Sequence, residues 1–185
     1  MAESVCPVWI GYFLASPVRK LFQNPEKILR PYIRKGMNVL DIGCAMGFFS
    51  LPLARMVGSN GRVICVDMQE KMITSLEKRA RRAGVSDRIE THLCRQNSLN
   101  LQEVKEQIDF ALAFAVVHEV PDASVLFAEV YEAMKSGGKF LVAEPKGHLS
   151  EKDFEVTISI ARQSGFRKAA DSPEIAHSRV VLLEK

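Results

Sequence analysis

The sequence predicts a doubly wound α/β domain on a mostly parallel, seven-stranded sheet whose last strand runs antiparallel. Three observations predict it. Short apolar runs alternate with helical patterns through the first five strands, and right-handed crossovers turn that order into a parallel sheet with helices on both faces. Two of the runs end in an acid, Asp41 and Asp67. The first is followed by glycines four residues apart, Gly43 and Gly47, opening a helix-like stretch with Phe48, Phe49, Leu51, Leu53 and Ala54.

The elements follow in order. Ahead of Asn38, helices are expected at residues 7–13 and 25–32. The first strand runs through Val39-Leu40 to Asp41. A second, residues 63–67, ends at Asp67. Residues 69–83 read as a helix with Met72, Ile73, Leu76 and Ala80 on one face and Lys78, Arg79, Arg81 and Arg82 on a solvated one. Gly84 caps it. A third strand spans 88–94 and a fourth 108–117. Residues 123–134 form a helix that ends in the turn Lys135-Ser136-Gly137-Gly138, with Asp122 fitting an N-cap. The fifth strand is 139–144, and a helix at 151–164 is closed by Gly165. Two last strands, 166–169 and 178–183, are joined by a polar turn around Pro173 with no helix between them, so they form a hairpin at the sheet edge.

Bulk properties narrow the function. The chain has 185 residues, 47% hydrophobic and 25% charged, enough for one domain with a sizeable core. A net charge of +3 lacks the footprint of a dedicated nucleic-acid binder. Cys6, Cys44, Cys65 and Cys94 form no C-x-x-C and read as reduced, packed thiols of an intracellular protein. Cys44 lies inside the glycine turn, where a reactive thiol is the alternative to a packed one. The N-terminal stretch carries Glu3, lacks a basic region and is broken by Pro7, Gly11 and Pro17, unlike a signal peptide. No run reaches the roughly 18 apolar residues of a membrane span. The expected location is the cytoplasm.

In an open α/β sheet, ligands sit beyond the carboxyl ends of the strands. That rim carries Asp41, the glycine turn, Asp67, Asn97 and the loop after Val117. A dinucleotide site calls for G-x-G-x-x-G. Here the turn reads Gly43-x-Ala45-x-Gly47, with Phe48 at the sixth place. Asp41 would also repel a pyrophosphate, and it suits a ligand carrying positive charge.

These residues resemble the class I S-adenosylmethionine-dependent methyltransferases. Asp41-Ile42-Gly43-Cys44-Ala45-Met46-Gly47 matches their first motif, with Ala45 at the middle glycine position. Asp67 matches the acid that ends their second strand, IDFALAFAVVHEVPD their fourth-strand motif, and Ser136-Gly137-Gly138-Lys139-Phe140-Leu141-Val142 the fifth. Each motif alone is common; four in this order and spacing are specific. The resemblance covers residues 37–185 and implies a Rossmann-like fold with S-adenosyl-L-methionine as cofactor. It implies that Asp41, Gly43, Cys44, Ala45, Gly47, Phe48 and Phe114 line the cofactor, that Asp67 binds the ribose hydroxyls and that Met68 packs on adenine. Many relatives place an Asp after the third strand against the adenine amino group. Here Asn97 or Ser98 takes that place, or Asn97 only shapes a turn.

The same resemblance gives the expected domain plan: one methyltransferase domain over 1–185, with 1–36 a helical lid and 37–185 the core. Tyr12 and Trp9 are candidates to close the methionine end, where aromatics exclude water and favour a sulfonium. His118 and Glu119 sit where this family meets its acceptor. His118 titrates near neutrality and either takes a proton or orients the acceptor; otherwise it only shapes the pocket floor. The sequence shows no metal-ligand set and no N/D-P-P-Y/F motif for a flipped base. The likeness is to the small-molecule branch of ubiquinone/menaquinone-biosynthesis and arsenite methyltransferases, so the expected partner is a small-molecule acceptor rather than nucleic acid. A non-catalytic S-adenosylmethionine-binding module or partner subunit is the alternative.

Overall fold

The computed structural model describes residues 23–185. The expected helix at 7–13, with Trp9 and Tyr12, and Cys6 lie outside the described residues. The chain divides into two compact units, one ending at Leu93 and one spanning Cys94–Lys185.

The first unit opens with helix α1 (Pro25–Leu29), whose N-cap Asn24 accepts the N–H groups of Glu26 and Lys27. It is shorter than the expected 25–32, because Pro31 has no N–H to continue the helical ladder. Three strands follow, β1 (Asn38–Ile42), β2 (Arg62–Asp67) and β3 (Ile89–Leu93). They pair in parallel in the order β3-β2-β1, with Asp41 opposite Cys65 and Asp67 opposite Leu93. Beyond their first residues β1 and β2 are buried throughout. A parallel strand covered on both faces reads as a continuous apolar run, which is what the sequence showed. Helix α2 (Ser50–Val57) follows β1, and α3 (Glu70–Ala83) follows β2. The buried stripe of α3 is Met72, Ile73, Leu76 and Ala80, the face its periodicity predicted.

The second unit holds β4 (Ile108–Phe114), β5 (Met134–Pro145), β6 (Arg167–Lys168) and β7 (Ser178–Glu184). β4 pairs in parallel with β5, while β7 runs antiparallel to both β5 and β6. Seven strands, mostly parallel with an antiparallel last one, are thus present among the described residues. Helix α4 (Ala123–Ala133) precedes β5 and α5 (Glu151–Gln163) follows it. The core gathers Phe127, Phe140 and Phe166, with ring centroids 5.8, 6.3 and 5.7 Å apart. Gly165 is required beside them: its φ is +106°, and a Cβ there would lie 2.8 Å from the Tyr131 ring.

The expected turn at Lys135–Gly138 is instead the start of β5. The strand begins at Met134, directly after α4, and a register shift between Ile108 and Phe110 absorbs the extra residues. Gly137 N–H donates to the Lys185 carbonyl and Lys185 N–H to that of Gly138, so the C-terminal residue supplies the pairing that makes this segment a strand. No described helix is long and apolar enough to cross a membrane.

Candidate functional site

The first unit builds a turn between β1 and α2 from unusual backbone. Gly43, Ala45 and Gly47 have φ of +66°, +47° and +84°. Alanine rarely adopts this left-handed region, and such strain concentrates at functional sites. Gly47 is needed twice over, since a Cβ there would sit 2.4 Å from the Leu76 side chain of α3.

Hydrogen bonds hold the turn in place. The N–H groups of Gly43 and Cys44 both donate to the Val66 carbonyl, at 2.8 and 3.1 Å. Ala45 N–H donates to Asp67 Oδ2 at 2.9 Å, and Gln69 N–H donates to Asp67 Oδ1 at 2.9 Å. Asp67 therefore ties the residue that precedes the next helix to the turn. It clamps the strained residue of the turn, and each oxygen retains acceptor capacity for a hydroxyl. Arg79 donates to the Met46 carbonyl from the side of α3. This corrects the expectation for the Lys78–Arg82 cluster: Arg79 is half-buried and supports the turn. Its helical position, three residues past the buried Leu76, was the available signal.

Two carboxylates lie below this rim. Asp41 is buried and accepts a hydrogen bond from Ser50 Oγ, the first residue of α2, at 2.6 Å. Burial raises its pKa from 3.8 to about 7; the Ser50 bond opposes the rise and the Asp67 charge adds to it. Burial also raises Asp67, against the N–H bonds from Gln69, Ala45 and Met68. The Cys44 thiol is buried, and desolvation followed by its neighbour Cys65 pushes it well above the ordinary range. It is a protonated, packed thiol rather than a reactive one. Phe48 is buried edge-to-face on Phe49, with centroids 5.1 Å apart.

Met68, just past β2, is 40% exposed, and Leu93, ending the neighbouring β3, is 52% exposed. They are two of three exposed large apolar side chains among the described residues. Leu93 is the β3 partner of Asp67 and Met68 follows Asp67 in the chain, so both exposed apolar residues stand at the same strand ends as that carboxylate. The sequence pointed to Met68 but not to Leu93, whose place at the rim depends on strand register.

The other expected site residues belong to the second unit. Asn97 and Ser98 occupy a tight turn closed by Arg95 and Ser98, which exchange backbone bonds at 2.9 and 3.3 Å. Asn97 is exposed, whereas Ser98 Oγ accepts the Asn100 N–H at 3.1 Å. Phe114 is buried at the end of β4, and Ala115 after it has φ +59°. His118 and Glu119 follow in a single helical turn, Val117–Glu119. Asp122 caps α4 as expected, accepting the Ser124 N–H at 2.9 Å.

His118 is anchored by a residue the sequence reading passed over. Glu144, near the end of β5, is fully buried. Its Oε1 accepts the N–H groups of Val116 and Val117 at 3.2 and 2.8 Å, and its Oε2 bonds Nδ1 of His118. On the other edge of the ring, Nε2 faces Nδ1 of His148 at 3.3 Å and Oε1 of Glu119 at 4.0 Å. An acid inside the apolar run FLVAE was the missed signal, since an acid is almost never fully buried without partners.

A family model described as "Methyltransferase domain" matches residues 33–176, across both units. Among curated relatives, the ubiquinone biosynthesis O-methyltransferase of Rhizobium etli is 32% identical over 137 residues, 74% of this chain and 51% of that protein. The demethylmenaquinone methyltransferase of Lactobacillus johnsonii is 29% identical over 112 residues, 60% of this chain and 45% of that one. The chain thus spans about half the length of the relatives it matches. Among solved structures, an S-adenosylmethionine-dependent methyltransferase from Aquifex aeolicus shares the fold with a TM-score of 0.85 at 22% identity, over 97% of this chain and 98% of that one.

Proposed function

Since this chain belongs to the methyltransferase-domain family, we propose that it transfers a methyl group from S-adenosylmethionine to a small-molecule acceptor in the cytoplasm. The observation that carries the reading is the Asp67 carboxylate, which clamps the left-handed Ala45 and stands beside the exposed Met68 and Leu93.

The residues suit the cofactor's chemistry. A carboxylate accepts from both ribose hydroxyls, and apolar side chains flank adenine. Above about pH 7, where it is ionised, Asp41 favours a ligand with positive charge. When bound, the cofactor supplies an electrophilic methyl group on a sulfonium, and the protein contributes orientation and exclusion of water. His118 and Glu119 form the polar side of the acceptor region. Residues 33–176 are read as one methyltransferase domain, which the single family match over them supports. The quinone-pathway names of the relatives make small aromatic acceptors the first to screen, ahead of nucleic acid.

Calorimetric titration with S-adenosylmethionine, S-adenosylhomocysteine and NADH, on the wild type and on Asp67→Ala, tests the reading. Micromolar binding of the first two, lost in the variant, is expected. Binding of NADH instead would overturn it. Tight cofactor binding with no transfer to any acceptor would leave a binding module.

A further inference from the structure

We propose that the proton-accepting atom of this protein is Nε2 of His148, left with its lone pair by a fixed chain of tautomers that begins at the buried Glu144. The proposal rests on the methyl-transfer reading and adds to it a catalytic residue, His148, and a positioning residue, Glu144.

The tautomers follow from the order of the contacts. Oε1 of Glu144 is committed to the N–H groups of Val116 and Val117, and Oε2 meets Nδ1 of His118. An ionised carboxylate only accepts, so Nδ1 of His118 must carry the hydrogen. In neutral imidazole the other nitrogen is then an acceptor. That nitrogen, Nε2, faces Nδ1 of His148 at 3.3 Å, so Nδ1 of His148 must donate and its Nε2 is left with the lone pair. The ring centroids are 5.2 Å apart and the planes cross at 77°, consistent with an edge-to-edge N–H···N contact. Burial falls along the chain: Glu144 is fully buried, His118 largely so, and His148 is exposed. The atom with the lone pair thus belongs to an exposed ring, while the carboxylate that fixes the tautomers is buried.

Other charged groups face the chain. Glu119 Oε1 lies 4.0 Å from His118 Nε2, beyond hydrogen-bond reach. Arg179 stands opposite Glu144 in the β5–β7 register, and the exposed Lys146 lies two residues before His148. The arrangement suits an acceptor whose nucleophile starts protonated. Its X–H bond breaks, the proton bonding to Nε2 of His148 and the electron pair staying on X. The cofactor, when bound, would supply the methyl group to that electron pair and keep the electrons of its carbon–sulfur bond as a neutral thioether.

The test is nitrogen-15 NMR of the histidine rings in the full chain, assigned with single histidine variants. Nδ1–H tautomers are expected for both His118 and His148. An Nε2–H tautomer at His148, the form free histidine favours, would overturn the proposal. Glu144→Gln keeps the side-chain shape but turns an N–H towards His118, so both rings are expected to switch to Nε2–H; unchanged rings would overturn the role of Glu144. If that variant does not fold, His118→Phe removes the acceptor, and His148 alone is expected to revert. Diethyl pyrocarbonate gives a second readout on the lone pair. His148 is expected to react several-fold faster at Nε2 in the wild type than in Glu144→Gln, with the exposed His177 as internal control; equal rates would overturn the proposal. S-adenosylmethionine binding by Glu144→Gln, measured by calorimetry, stays within about twofold of wild type. Loss of cofactor binding in the wild type itself sinks the methyltransferase reading and leaves the tautomer result standing separately.

Discussion

Asp67 accepts the backbone N–H of Ala45 at 2.9 Å, so the carboxylate that ends β2 holds open the turn that follows β1. The acid and the strained residue are 22 positions apart, and neither has its role without the other. Asp67→Asn tests this. Its amide oxygen can replace only one of the two carboxylate oxygens that accept from Ala45 and Gln69, and its NH₂ group faces the N–H on the other side. Leaving a part-buried donor unsatisfied costs about 1–3 kcal/mol. Denaturant unfolding is expected to show that loss, and calorimetry at least a tenfold weaker cofactor affinity. A variant with wild-type values in both would refute the clamp.

Asp41 gives stability a pH dependence of known sign. Its carboxyl titrates at about 7 in the folded chain against 3.8 in the reference state, chiefly through burial. Between those values the folded protein holds a proton that the unfolded chain has released. Stability therefore falls as pH rises through this window, and the whole penalty is present above it. At about 1.4 kcal/mol per pKa unit the effect is on the order of a few kcal/mol. Asp41→Asn carries no charge and still bonds Ser50. Urea unfolding is expected to find it more stable than wild type at pH 8, with a shallower decline between pH 4 and 7. Parallel stability profiles would contradict this assignment.

Arg79 shapes the turn through the Met46 carbonyl. Arg79→Met keeps the apolar stem against α3 and removes the donor. Cofactor affinity should fall several-fold while stability changes by about 1 kcal/mol or less, the net worth of one hydrogen bond. Lys78→Met, on the exposed face, should change neither. Equal effects of the two substitutions on affinity would return Arg79 to the solvated face.

Ala45 and Gly47 should respond in opposite directions. Ala45→Gly relieves a left-handed alanine, partly offset by greater freedom of the unfolded chain, for a gain of up to about 1 kcal/mol. Gly47→Ala adds a Cβ at φ +84°, 2.4 Å from Leu76, and should cost about 1–3 kcal/mol. Thermal melts of the two variants settle it; a destabilised Ala45→Gly would mean that its methyl group packs.

Strand and helix positions were legible because burial writes itself into periodicity. The apolar runs of β1 and β2, the stripe of α3 and the Asp122 cap all lie where the residue order placed them. So did the acids and glycines of the turn, whose backbone demands restrict residue choice locally. The start of β5 was not legible: Lys135–Gly138 has turn composition, and only pairing with Lys185 makes it a strand.

The candidate site divides in the same way. The sequence by itself determined Asp41, Asp67, the glycine turn and the presence of His118 and Glu119 after β4. The tertiary structure decided that Asp67 clamps Ala45, that Arg79 turns inward, that Leu93 joins Met68 at the rim and that Glu144 and His148 bracket His118. The physical reason is that hydrogen bonds and desolvation act over a few ångströms of space, whatever the separation along the chain. Glu144 lies 26 residues from His118 and His148 lies 30 from it. No local pattern links residues that far apart; folding brings them within bonding distance.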